Sequence, residues 1–161
     1  MTPLFKKLNF KNQKSLHIIQ APDSFHPEMK AMQDVAKVIT FLTGSEPVEF
    51  FLGFVTKQNE VNSLSKKVSK RLVEDGLLWL AYPKGSSKKY TCDFNRDSGW
   101  AELGKLGFEP VRQVAIDEDW SALRFRQVAY IKKMTRSFAM TSEGKKKVQT
   151  ARKGGAKRNS L

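Results

Sequence analysis

The sequence predicts an α/β fold, a mixed six-stranded sheet with helices on both faces. Short apolar runs alternate with segments of helical periodicity, several of those runs are apolar on both faces, and the last two are joined by a tight acidic turn. Strands apolar on both faces belong to parallel sheets covered from both sides. Strands alternating with helices through right-handed crossovers build three layers. The chain has 161 residues, one domain's worth, and its 40% apolar and 11% aromatic content can bury a sizeable core.

Residues Thr2 to Lys14 are basic and polar with scattered Leu4, Phe5, Leu8 and Phe10, which fits a strap over the core better than a strand. Residues 1–15 are therefore set apart from a single domain over 16–131. Leu16 to Gln20 is a first strand that ends at Ala21-Pro22, because proline cannot donate to a ladder. Asp23 or Ser24 can cap a helix whose apolar residues Phe25, Met29 and Met32 recur at helical spacing. Val35 to Phe41 is β-branched enough for a second strand, closed by Thr43-Gly44-Ser45-Glu46-Pro47.

Val48 to Val55 is a third strand, apolar on both faces. Gln58 to Glu74 carries Val61, Leu64, Val68 and Leu72 on one stripe and Lys66, Lys67, Lys70 and Arg71 elsewhere, an amphipathic helix with Gly76 as its left-handed stop. Leu77 to Tyr82 is a buried fourth strand. Asp93 caps a helix over Phe94 to Leu106 that Gly107 ends. Pro110 to Ile116 and Ser121 to Val128 form a closing hairpin around Asp117-Glu118-Asp119. The expected strand order is 2-1-3-4-6-5, with strand 6 antiparallel.

The formal charge is +13, and most of it is local. Residues 132–161 hold ten basic residues and one acid, leaving nineteen basic and fifteen acidic residues in the body. This C-terminal tail is read as flexible, because from Thr141 to Leu161 its large apolar residues are Val148 and Leu161 and it carries three glycines. Its functional reading is an electrostatic arm touching an acidic partner or nucleic acid through Lys145, Lys146, Lys147, Arg152, Lys153, Lys157 and Arg158. Its plain reading is a solubilising tail, and no aromatic sits among the cations to stack a base. No apolar run approaches the roughly 18 residues of a membrane span, and the N-terminus lacks a secretory signal. A cytoplasmic protein is expected, without membrane association. One cysteine, Cys92, and two histidines argue against a disulfide or a transition-metal site.

In an open α/β sheet, ligands bind beyond the C-terminal ends of the parallel strands. The loop after the first strand, Gln20 to Phe25, has no glycine, which argues against a dinucleotide or S-adenosylmethionine site, and no cofactor is expected. Pro22 and Asp23 from this loop are candidate ligand contacts. After the fourth strand, Pro83 to Lys89 could cradle a phosphate through the Gly85 and Ser86 amides with Lys84 as a point charge, or be an ordinary solvated loop. The Asp117 turn could present a carboxylate and Trp120 to a ligand; alternatively Asp117 bonds its own backbone and Trp120 plugs the sheet. His17 and His26 read as structural, and Cys92 as a small buried residue. No catalytic residue is assigned.

Leu78-Trp79-Leu80-Ala81-Tyr82-Pro83-Lys84, followed by Ala115 to Phe125 with Asp117-Glu118-Asp119-Trp120-Ser121-Ala122-Leu123, resembles a bacterial family of domains of unknown function, number 3052. Tyr82 stands where that family usually has Trp, and Ala122 where it usually has Gly. The resemblance covers about residues 16–128 and implies a Rossmann-like α/β fold with no assigned activity. The order of elements is also similar to the second half of a class I methyltransferase, whereas the cofactor-binding first half does not match.

Three functions follow as expectations. The first is a non-enzymatic accessory or binding domain. The second is a degenerate methyltransferase-like or nucleotide- or phosphate-binding protein using the Lys84 loop. The third is a non-specific nucleic-acid binder acting through the tail.

Overall fold

The computed structural model describes residues 1–131. The chain runs α1 (Pro3–Lys7), β1 (Ser15–Ile19), a 3-10 turn (Asp23–Phe25), α2 (His26–Met32), β2 (Lys37–Ile39), β3 (Val48–Phe54), α3 (Gln58–Ser69), β4 (Leu72–Pro83), α4 (Ala101–Lys105), β5 (Phe108–Ala115) and β6 (Trp120–Gln127). The six strands form one sheet in the order β2-β1-β3-β4-β6-β5. β1, β2, β3 and β4 pair in parallel, and β6 runs antiparallel to both β4 and β5. This is the expected Rossmann-like sheet, with the last strand inserted beside β4.

Two apolar layers enclose it. On one face Phe5 and Leu8 from the N-terminal segment, Phe25 from the 3-10 turn and Met32 from α2 pack on Phe50, Leu52, Phe54, Trp79 and Ala122. On the other, Val61, Leu64 and Val68 of α3 and Leu103 of α4 pack on Phe51, Leu78, Leu80, Leu123 and Phe125. Successive strand residues point to opposite faces, so residues 50–54 of β3 and 77–83 of β4 supply both cores and carry no charged side chain.

The N-terminal strap contains a helix. Thr2 caps it by accepting a hydrogen bond at Oγ1 from the Phe5 amide at 3.2 Å, and Pro3 suits its first turn. The Trp79 indole donates to the Leu8 carbonyl at 3.0 Å, tying this helix to the sheet.

Four local expectations are corrected. The amphipathic helix ends at Ser69 rather than Glu74, because Leu72 already pairs with Val48 in β4. The register then shifts to Leu77 opposite Phe50, so residues 73–76 bulge, and Asp75 rather than Gly76 takes the positive φ, 51°. No helix spans Phe94 to Leu106; only Ala101–Lys105 is helical, and Asp93 caps α3 instead. The second strand shortens to three residues, with Val35 and Phe41 exposed. The helix after β1 is opened by a 3-10 turn, and neither Asp23 nor Ser24 caps α2. Gly107 does end α4 with φ 89°, as a left-handed stop requires.

Among the described residues no helix is long and apolar enough to cross a membrane.

Candidate functional site

The C-terminal edge of the parallel strands collects the loops after β1, β3 and β4 and the β5–β6 turn. Pro83 pairs with Trp120 in the β4–β6 ladder, so the Lys84 loop and the acidic turn begin side by side. The Lys84 amide donates to the Asp119 carbonyl at 2.8 Å, and the Ser87 hydroxyl donates to the Asp119 carboxylate at 2.9 Å. The two loops are bonded to each other across 32 residues of sequence.

What lies between them and the β1 loop is aromatic. Trp120 is 3% exposed. Its ring stands 5.1 Å from that of Phe54 and 4.9 Å from that of Tyr90, and Phe54 is 5.0 Å from Phe25. These edge-on and tilted contacts are the favoured geometries of aromatic pairs. The edge is filled by the protein's own rings.

The β1 loop turns without glycine. Gln20 takes φ 60°, a left-handed conformation costly for a residue with a Cβ, and its side-chain amide donates to the Phe54 carbonyl at 2.8 Å. Phe25 then follows Pro22 through a backbone bond of 2.9 Å and turns inward. Asp23 lies on this edge with its carboxylate fully exposed, 3.9 Å from His26.

The structure therefore brings Lys84, Asp117 and Trp120 together, and among the described residues the buried Trp120 indole nitrogen has no hydrogen-bond partner. Asp117 accepts the amides of Asp119 and Trp120 at 2.8 and 2.9 Å, a carboxylate serving its own turn. Ser87, not Ser86, makes the side-chain bond to the acidic turn, while Gly85 and Ser86 are exposed. Arg96, which the sequence did not single out, donates from Nε to the Pro83 carbonyl at 3.2 Å. The position a Gly85 Cβ would take lies 3.6 Å from the Arg96 guanidinium. No periodicity or motif marks Arg96, because its place depends on the chain folding back from residue 96 to residue 83. The tail candidates Lys145, Lys146, Lys147, Arg152, Lys153, Lys157 and Arg158 lie outside the described residues.

A second ligand position of α/β folds, the N-terminus of the helix after β3, is also taken. Asp93 accepts from the Gln58 amide at 2.7 Å, and Glu60 accepts from the Thr56 and Lys57 amides at 2.9 and 3.1 Å. These carboxylates satisfy donors that a bound anion would otherwise meet. Cys92 is half-buried beside them, its thiol directed at the Phe94 carbonyl at 3.3 Å.

His17 is buried in mid-sheet, and neither ring nitrogen has a partner among the described residues. Burial pushes its imidazole below the ordinary value; Arg71 and Lys37 act in the same direction and Glu46 against it. A neutral ring inside the sheet is structural. Among the described residues no group of His, Cys, Asp and Glu has a metal-holding arrangement.

No family model matches the chain, and no curated protein matches it. Solved structures similar to it are methyltransferases and related proteins. One from Sulfolobus solfataricus, described as a type 11 methyltransferase, is 12% identical, with a TM-score of 0.48 over 74% of this chain and 87% of its own. The N-methyltransferase NodS from Bradyrhizobium japonicum is 13% identical, with a TM-score of 0.45 over 71% and 74%. The fibrillarin pre-rRNA processing protein of Methanococcus jannaschii is 18% identical, with a TM-score of 0.40 over 68% and 54%. The likeness is one of fold, and no activity follows from it.

Proposed function

We propose that this chain is a degenerate methyltransferase-like domain that acts by binding a partner, its cofactor edge closed by its own side chains. The observation that carries this reading is the row Phe25, Phe54, Trp120 and Tyr90, with ring contacts of 4.9 to 5.1 Å where a nucleoside would lie in a fold of this kind. The glycine-free β1 loop, held by Gln20, supports it, as does Asp93 on the first turn of α3. The two segments that resemble the family of unknown function, residues 78–84 and 115–125, are the neighbours β4 and β6 and contribute Trp120 to the plug.

Thermal unfolding of the full chain with S-adenosylmethionine, S-adenosylhomocysteine and a panel of nucleotides tests the reading. A ligand at 100 times its dissociation constant adds ~2.7 kcal/mol to stability, a shift of several degrees. The expected result is no saturable shift with any of them. A saturable shift with S-adenosylmethionine, abolished by a bulky substitution in the β1 loop, overturns it.

A further inference from the structure

The β5–β6 hairpin carries three arginines on one face. Trp120 and Ala122 of β6 point into the core that also contains Phe5 and Trp79, so strand alternation puts Arg124 and Arg126 on that side. On β5, Arg112 is the register partner of Arg124, and Val114, two residues on, belongs to the same core. Arg112 therefore stands beside Arg124 on the same face. Like charges directly opposite on antiparallel strands repel.

The neighbouring acids do not serve them equally. Asp75 grips Arg126 in a fork, accepting from Nε at 2.7 Å and from Nη2 at 2.6 Å. Glu109 is the register partner of the same Arg126. Among the described residues Arg124 has one ion-pair contact, from Nη2 at 3.9 Å to the Asp75 Oδ1 that already accepts from Arg126. Its side chain is 12% exposed, and its buried Nε has no hydrogen-bond partner among the described residues. Burial pushes the Arg124 guanidinium down from its ordinary value, Arg126 and Arg112 add to that, and Asp75 opposes it. Arg112 is exposed and pairs with no acid among the described residues.

A desolvated guanidinium with an orphaned donor, next to a second guanidinium open to solvent, lacks an anion. Two arginine forks match the tetrahedral oxygens of a phosphate better than a single carboxylate, since each can donate two parallel bonds. The surroundings favour entry. Trp79, the cross-strand neighbour of Arg124, is bonded to Leu8 at the end of α1, whose last turn carries the exposed Lys6 and Lys7. Outside residues 132–161 the chain still carries nineteen basic against fifteen acidic residues, a modest positive balance that favours anions.

We propose that the Arg112–Arg124 pair, with Arg126 held in place by Asp75, binds the phosphoryl group of a phosphate ester or a nucleic-acid backbone. This site is on the flank of the sheet, away from the closed C-terminal edge, so its failure would leave the reading of that edge intact.

The test follows the Arg124 Nε–Hε resonance of the full chain by NMR during titration with inorganic pyrophosphate, against sodium chloride at matched ionic strength. The expected result is a saturable shift with pyrophosphate alone, weakened about tenfold or more in Arg112→Gln, as loss of bonds to a charged group requires, and unchanged in Arg96→Gln. Arg112 is exposed on an edge strand, so its substitution leaves folding intact. An equal response to chloride, or an unchanged half-point in Arg112→Gln, overturns the proposal. A short oligonucleotide distinguishes the source: a half-point well below that of pyrophosphate assigns a nucleic-acid backbone, and an equal or higher one assigns a small phosphate ester.

Discussion

The indole of Trp79 donates to the carbonyl of Leu8 at 3.0 Å, across 71 residues of sequence and inside the core. This bond satisfies a carbonyl at the end of α1 and the one polar atom of a fully buried indole. It makes the N-terminal segment part of the domain.

Trp79→Phe keeps most of the ring and removes the donor, leaving the Leu8 carbonyl buried and unpaired. A loss of about 1–3 kcal/mol is expected, the cost of an unsatisfied buried group. Chemical unfolding measures it, and hydrogen exchange should show faster opening of the amides of residues 5–10 than of β3. Equal acceleration throughout would mean that the bond does not dock α1 in particular.

Trp120→Ala distinguishes a packed edge from a ligand-bearing one. Removing a buried indole from between Phe54 and Tyr90 should cost about 3–5 kcal/mol, as in other large-to-small core changes. A loss below about 1 kcal/mol, measured by urea unfolding, would show that Trp120 contributes little packing and that the edge is available to a ligand.

Asp93→Ala removes the carboxylate that caps α3. The expected loss is about 0.5–2 kcal/mol, and Asp93→Asn should recover most of it because the amide oxygen still accepts from Gln58. An Asn variant as unstable as the Ala variant would assign the effect to the loop around residue 93 instead.

His17 makes stability depend on pH. Its folded value is depressed below the ordinary 6.5, so as pH falls through about 6.5 the unfolded chain binds the proton first. Stability present above that pH is then lost progressively as pH falls through the folded value. The urea midpoint should be lower near pH 5 than near pH 7.5, and His17→Leu should flatten this difference without lowering stability at neutral pH, since it removes two unpartnered nitrogens. An unchanged slope in the variant would assign the pH dependence to other groups.

The strands were legible in the sequence because they rest on patterns of hydrophobicity, whereas the insertion of the sixth beside the fourth is expected from the resemblance to methyltransferase-like sheets. Runs such as Val48 to Val55 bury both faces wherever they lie, and a chain returning through the Asp117 turn can only pair antiparallel with the strand it left. The stop at Gly107 was legible for a similar reason, since a left-handed residue is tolerated chiefly as glycine.

Competition between distant partners decided the rest. A capping aspartate reads the same whether it serves the next helix or one 35 residues back, and Asp93 serves α3 because residues 95–99 turn instead of opening a helix. Leu72 fits the stripe of α3, yet it enters β4 because pairing with Val48 satisfies its backbone in the sheet. Trp120 could have lined a ligand site or filled one; the convergence of Phe25, Phe54 and Tyr90 from three other segments fills it. The arginines at 112, 124 and 126 carry no motif, and the register of one hairpin sets two of them opposite each other. Hydrophobic periodicity is a property of neighbours along the chain and survives in the sequence, whereas hydrogen bonds, ring contacts and charge pairs join residues that only the closed sheet makes neighbours.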